Sequence, residues 1–455
     1  MTTELPIARI RPEFLAALGA RPVVISSPTG SGKSTEVPRW CAAARQGGAA
    51  QLRGHVLVVE PRRIACRSLA LRVAELEATQ LGHGVGYVVR DERVVSDATR
   101  IVFATPGMVL RDRRLQQQAH TVMLDEFHER SLEVDLLLAL LVAQRRSEGD
   151  GPALVVMSAT LEGERLATHV GGVHLRAEGT AFPVEVRHVS THHGAPNADD
   201  LPGRLRSALA AAANDPGDVL VFLPGKVEIE ACAQSVRGLP FTTLRLHGGL
   251  SLDEQRRAFE PTPQRKLILA TNVAETSLTI PGIGVVIDSG LVRQTRYHAG
   301  RGFLALVPIA EDSAAQRTGR AGRTVPGVCY RLWSSSARLE KTTLPELQRE
   351  SLVPLVLGAA AWNVRVEDLP WLDAPKPYAL EAARADLQAW RALAPTGELS
   401  AEGQGLYALP VTPLQARLLM QAREQGERCL EDMIDLVSVL SMGRPLFSRG
   451  SEGDN

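Results

Sequence analysis

Between residues 22 and 333 the chain alternates short apolar, β-branched runs with amphipathic stretches of helical period. A first series comprises PVVIS (22–26), HVLVVE (55–60), RIVFAT (100–105), TVMLD (121–125) and ALVVMS (153–158). A second comprises DVLVFLP (218–224), TTLRLH (242–247), KLILAT (266–271), GVVIDS (284–289) and VCYRLW (328–333). Continuous apolar runs, unlike alternating ones, suit strands whose sheet is covered by helices on both faces. The pattern predicts two α/β domains in tandem, each built on a parallel sheet and divided by the polar stretch THHGAPNADDLPG (191–203). Domain limits are expected at 1–178 and 179–340.

Other segments read differently. LLLALLVA (136–143), flanked by Asp135 and Arg145, predicts a buried helix and is far too short to span a membrane. LVRQTRYHAGRGFLALVPI (291–309) sets two alternating runs about a glycine-containing turn, the mark of a β-hairpin. From about 341, Leu, Ala and Glu dominate, with Pro370, Pro375 and Pro377 as punctuation, and amphipathic helices are expected near 413–424 and 427–441. Those last two carry apolar faces with little downstream to cover them, which suggests that the natural chain continues. The tail SRGSEGDN reads as disordered.

Composition narrows the function. Lys plus Arg number 51 and the acids also 51, so any nucleic-acid site must be a local basic surface. Aromatics make up only 4%, which favours grip on a sugar–phosphate backbone over a broad base-stacking platform. Five scattered cysteines without a C-x-x-C pair fit a reducing compartment and argue against structural zinc. His192 and His193 lack ligand-type neighbours and read as surface loop. With a charged start, MTTELPIARIRPEF, these features predict a soluble, cytoplasmic protein with no membrane partner.

Two stretches carry chemistry. SPTGSGKST (27–35) follows a strand and opens a helix. Gly30 and Gly32 let such a loop wrap with its N–H groups inward; Thr29, Ser31 and Thr35 complete it, Lys33 supplies a mobile charge, and Ser34 can place a hydroxyl on Mg²⁺. The strict phosphate-loop pattern has glycine where Ser27 stands, so the motif is a relaxed form. Pro38 falls in the second turn of the helix and predicts a slight kink. VMLDEFHERS (122–131) ends another apolar run in adjacent acids, where like charges repel unless a cation is present. Asp125 is suited to hold Mg²⁺, and Glu126 to take a proton from attacking water.

With these in place the chain resembles the DEAH-box RNA helicases of superfamily 2, and among them the bacterial HrpB type. SPTGSGKST, EPRRIACRSLALRVAE (60–75), TPG (105–107), DEFHER (125–130), SAT (158–160), FLPG (222–225), ATNVAETSLTIPGI (270–283) and QRTGRAGR (316–323) run in the family's order. Phe127, where most of the family has alanine, points to the HrpB type. The resemblance implies two RecA-like domains closing over ATP and Mg²⁺, a winged helix over 341–410, and the start of a helical bundle over 411–455. It further implies that Gln316 positions the water while Arg320 and Arg323 reach the γ-phosphate. Their spacing of i, i+4 and i+7 predicts one helical face. An Arg72–Phe259 sandwich of the base is implied too, with core packing of Phe259 as the competing reading. Stacking reads no base edge, so several nucleoside triphosphates are expected to serve.

Arg62, Arg63, Thr105, Gly107, Thr271 and Asn272 match the family's contacts to single-stranded RNA. Such groups suit phosphates and 2′-hydroxyls, not base edges. His128, Ser158 and Thr160 would couple that groove to the nucleotide. The expectation is an ATP-dependent RNA helicase that moves 3′ to 5′ on single-stranded RNA, or on a duplex with a single-stranded tail, its hairpin acting as wedge. Three alternatives stay open: DNA as the strand, remodelling of RNA–protein complexes without processive unwinding, and a nucleotide-switched scaffold. A protein activator is also open.

Overall fold

A computed structural model describes residues 5–28, 30–44, 54–149, 151–159, 162–178, 182–189, 194–250, 252–275, 280–298, 301–323 and 325–442. Thr29, Thr160, His192, His193 and the tail lie outside them.

The chain divides into two compact units, the first holding residues up to Glu350 together with Pro370–Asp373. Within it, the first sheet has eight strands: β1 (Val23–Ser26), β2 (His55–Val59), β3 (Val85–Val89), β4 (Glu92–Val94), β5 (Ile101–Ala104), β6 (Ala119–Leu124), β7 (Ala153–Ser158) and β8 (Val173–Arg176). Their order is β4-β3-β5-β2-β6-β7-β1-β8, with only the β3–β4 pair antiparallel. The second sheet contains β9 (Val184–His188), β10 (Asp218–Phe222), β11 (Thr242–Leu246), β12 (Lys266–Ala270), β13 (Ile283–Asp288) and β16 (Gly327–Arg331). It is wholly parallel in the order β11-β12-β10-β13-β16-β9. β14 (Leu291–His298) and β15 (Arg301–Pro308) form the expected antiparallel hairpin without a register break.

All ten expected strands are present; most are buried along nearly their whole length, while β11, at the edge of the second sheet, is half-buried. The four unexpected ones have local reasons. β4, β8 and β9 are half-polar and half-exposed edge strands. β3 is interrupted by Gly86, where a Cβ would lie 2.2 Å from the Val94 carbonyl oxygen, so only glycine lets β4 fold back.

Helices cover both faces of each sheet. The expected apolar helix runs over Leu132–Glu148, with Ser131 capping it by accepting the Val134 N–H at 3.3 Å. Leu136–Val142 are buried, so the apolar run is core. No helix among the described residues is long and apolar enough to cross a membrane. The helix after β1, Lys33–Ala44, continues through Pro38.

The second unit is helical, with Val353–Ala361, Pro377–Ala389, Ala401–Ala408, Pro413–Glu424 and Glu427–Met442. The two closing helices fall almost where their periodicity places them. Thr412 and Gln415 form a capping box at the first of them, and Arg417 lies 5.0 Å over the Trp390 ring. Leu414, Ile434, Leu436 and Leu440 are exposed.

Candidate nucleotide and nucleic-acid site

In parallel sheets the loops that leave the carboxyl ends of strands form the binding crevice. β1 runs into the phosphate-loop segment, β6 into Asp125, β7 into the SAT segment, and β12 into Thr271. Gly30 and Gly32 have φ of 84° and 92°, a region hostile to L side chains, so the loop needs both. At Gly32 a Cβ would also meet Leu5 Cδ1 at 2.8 Å. Ser31 donates to the Ser27 hydroxyl at 2.9 Å, so Ser27 serves as an internal brace where the strict pattern has glycine.

Lys33 is buried, and its Nζ donates to Glu126 Oε1 at 3.0 Å. Burial alone would depress the ammonium, but Glu126 and Asp125 hold its pKa above the ordinary value. The acids are driven apart. Burial pushes Asp125 up to about 6. Burial also opposes ionisation of Glu126, yet Lys33, His128 and Arg320 together hold that carboxyl well below its usual range. Asp125 Oδ1 accepts the Glu126 N–H at 2.8 Å, and its side chain bonds the Ser34 hydroxyl. Asp125 Oδ2 is buried and has no hydrogen-bond partner among the described residues. That uncompensated oxygen beside Ser34 and Lys33 is a donor set suited to hydrated Mg²⁺ and phosphate.

The wall opposite comes from the second sheet. Gln316 lies on the helix Glu311–Thr318, but Arg320 and Arg323 do not. The helix stops at Gly319, and a turn carries both arginines, so the single helical face expected from the spacing is corrected. The turn is forced by Gly322, where a Cβ would lie 2.5 Å from the Phe182 carbonyl oxygen. Arg320 donates to the Glu275 carbonyl. Glu126 acts electrostatically on both arginines, while burial lowers their pKa values, that of Arg323 to about 10. The carboxylate of Glu126, the Lys33 ammonium and the two arginines thus face one crevice.

Comparison with known proteins agrees with this geometry. Residues 10–168 match the DEAD/DEAH box helicase family, and residues 202–325 match the helicase conserved C-terminal domain. Over 480 residues, 99% of the chain, it is 35% identical to the ATP-dependent RNA helicase DHX33 of Mus musculus. Over 449 residues, 93% of the chain, it is 37% identical to the ATP-dependent RNA helicase HrpB of Escherichia coli strain K12. The crystal structure of the Escherichia coli DEAH/RHA helicase HrpB superposes with a TM-score of 0.84 at 34% identity over 99% of this chain. The chain belongs to the DEAD/DEAH box helicases. It spans 67% of the DHX33 relative and 53% of the HrpB relative, and 57% of the crystallised HrpB chain.

In this helicase chain the expected nucleic-acid contacts divide. Arg63 is half exposed, with Asp91 at 3.8 Å, and the Asn272 side chain is exposed. Thr105 and Thr271 are partly buried at helix starts. Gly107 is buried and gives its N–H to Glu133; a Cβ there would lie 2.7 Å from Glu133 Oε1. Arg62 spans the crevice: its Nη1 donates to the Asn272 and Val273 carbonyls at 2.9 and 3.1 Å, and its Nε lies 3.0 Å from Glu129 Oε1. Arg62, His128, Asn272, Gln316, Arg296 and Arg349 help line a cavity of about 430 Å³ beside the hairpin.

Of the residues expected to couple groove and nucleotide, His128 and Ser158 lie within the described residues and Thr160 lies outside them. The Ala159 N–H donates to His128 Nδ1 at 3.3 Å, and the Ser27 N–H donates to the Ser158 carbonyl at 3.2 Å. Burial lowers the pKa of His128 against the opposing pull of Glu126, whose Oε2 lies 3.4 Å from Nδ1. For the base sandwich, Phe259 packs against the core of the second sheet and Arg72 pairs with Glu75 at 3.0 Å. The two are not stacked on each other among the described contacts.

One cluster escaped the sequence reading. Arg317, with 1% of its side chain exposed, pairs with Glu275 at 2.8 Å and Asp288 at 2.9 Å. Ser313 donates to the same Glu275 carboxylate. The only sequence cue was that Arg317 and Glu275 lie inside matching motifs.

Proposed function

We propose that this chain is the motor portion of an ATP-dependent RNA helicase, hydrolysing nucleoside triphosphate under RNA stimulation while moving 3′ to 5′ and separating duplexes. The observation that carries the reading is the buried Lys33–Glu126 pair within the field of Arg320 and Arg323. Each half of the composite site supplies charge suited to a bound polyanion with its metal. In this reading Thr29–Thr35 cradle the phosphates, and Ser34 and Asp125 hold the metal. Bound Mg²⁺ supplies Lewis-acid neutralisation of the triphosphate. Glu126 accepts the water's proton, Gln316 orients that water, and Arg320 and Arg323 meet the γ-phosphate. Arg72 and Phe259 would come to stack on the base.

The names of the relatives support RNA as the strand. Arg62, Arg63, Thr105, Gly107, Thr271 and Asn272 form the track, which binds sequence-independently and with strong salt dependence. His128, Ser158 and Thr160 carry the nucleotide state toward it. We assign residues 1–178 and 179–340 to the two motor domains, 341–410 to a winged helix and 411–455 to the start of a helical bundle, and place the protein in the cytoplasm.

Strand displacement tests the polarity. A 3′-tailed RNA duplex is expected to be unwound and its 5′-tailed counterpart left intact. A DNA tail in the same position reports on the 2′-hydroxyls. Equal displacement from both tails refutes the polarity, and RNA-stimulated hydrolysis without any displacement favours remodelling.

A further inference from the structure

The turn that carries the proposed base is unusually constrained. Glu126 and Arg130 both sit at φ 47°, left-handed backbone that non-glycine residues seldom adopt, and they bracket a single 3₁₀ turn, Phe127–Glu129. Such a shape persists only where its surroundings over-determine it. Here the surroundings are explicit. The Phe127 ring is 3% exposed, and the Arg130 guanidinium lies 5.3 Å over it. Arg130 Nε donates to Asp135 Oδ1 at 2.8 Å and its Nη2 to Asp373 Oδ2 at 2.8 Å. The Arg130 carbonyl accepts the Glu346 N–H at 3.0 Å, while Glu346 Oε2 accepts the Leu132 N–H at 3.0 Å. Asp373 is held in turn by Arg165 at 2.5 Å.

We propose that Phe127 and Arg130 are positioning residues for Glu126. The ring is the floor on which the guanidinium rests. The guanidinium, fixed by two carboxylates, locks the left-handed corner at 130. With both corners set, Glu126 aims at Lys33 and His128 at Ala159. A side chain of alanine size at 127 would remove the floor and leave Arg130 only its polar contacts, so the bulk of Phe127 is specific to how this chain builds the turn. Glu346 and Asp373, which meet this arginine, lie in the same compact unit as the turn.

This inference rests on the proposed hydrolytic role of Glu126. It is tested on the full chain with Phe127→Ala, Phe127→Leu, Arg130→Lys and Glu126→Gln, measuring kcat, KM for ATP, melting temperature, and affinity for Mg-ADP with and without aluminium fluoride. Misplacement of a catalytic group by about 1 Å costs on the order of 100-fold, so Phe127→Ala is expected to lose about 10- to 100-fold in kcat. Its affinity for the aluminium fluoride complex should fall in proportion, while ADP affinity stays within about twofold. Phe127→Leu, which keeps the volume but not the π face, should fall between wild type and Phe127→Ala. Wild-type kcat in Phe127→Ala and Arg130→Lys, with Glu126→Gln inactive, overturns the positioning role alone. Parallel loss of ADP affinity, analogue affinity and melting temperature also overturns it, as that pattern is a folding defect. A wild-type protein without hydrolysis overturns both this inference and the functional reading.

Discussion

Arg317→Met probes the second wall of the crevice without touching its surface. The substitution keeps most of the side-chain volume but removes the cation shared by Glu275 and Asp288, which pair with it at 2.8 and 2.9 Å. It also removes a donor to the Leu291 carbonyl at 3.3 Å and a cation lying 4.9 Å over the Phe222 ring. Asp288 is fully buried, so its charge is left stranded. Removing one member of a buried ion pair costs about 3–5 kcal/mol. For a domain of this size each kcal/mol moves the melting temperature by about 2–4 °C, so a fall of about 10 °C is expected in the transition of the second sheet.

The pH dependence has a definite sign. Burial already raises the Asp288 pKa against the pull of Arg317, and losing the arginine raises it further. The folded variant then binds a proton more tightly than its unfolded chain, so it regains stability as pH falls through the raised folded pKa. The deficit should therefore be larger at pH 8 than at pH 5.5. Adding Asp288→Asn to Arg317→Met should recover part of it, since the stranded charge is gone. Calorimetry on wild type, single and double variants reads all three quantities. A melting temperature within about 2 °C of wild type at pH 8, or a deficit that grows toward acid, refutes the reasoning.

Two further outcomes follow from the site. Arg62→Gln removes the cross-crevice bonds to Asn272 and Val273, so dyes on the exposed Leu71 and Val227 should report a broader distance distribution without nucleotide; an unchanged distribution contradicts the bridge. Hydrolysis rates for ATP, GTP, CTP and UTP should agree within about an order of magnitude if the base is held by stacking alone, and a preference of several orders refutes that idea.

Much of this was legible in local sequence. Strands buried on both faces announce themselves as unbroken apolar runs; the closing helices at 413–424 and 427–442 carry their own period, and the first its own cap. GSGKS and DEFH were readable because phosphate and metal binding demand those residue types in short order. Edge strands such as Val184–His188 were not, since one open side lets them carry Glu and Arg. Nor were the arginines of QRTGRAGR correctly placed, because the stop at Gly319 depends on how Gly322 meets Phe182, far away in sequence. Arg62 with Asn272, Arg130 with Asp373 and Arg317 with Asp288 are separated by 210, 243 and 29 residues, so no local pattern reports them.

The central claim is that Glu126, held beside Lys33 and within the field of Arg320, activates water for nucleotide hydrolysis. Its direct test is the hydrolysis rate of wild type and Glu126→Gln with and without single-stranded RNA, alongside nucleotide affinity. The account predicts RNA-stimulated turnover in wild type and a loss of at least about 100-fold in the variant, with nucleotide still bound. An unchanged RNA-stimulated rate in Glu126→Gln would contradict it.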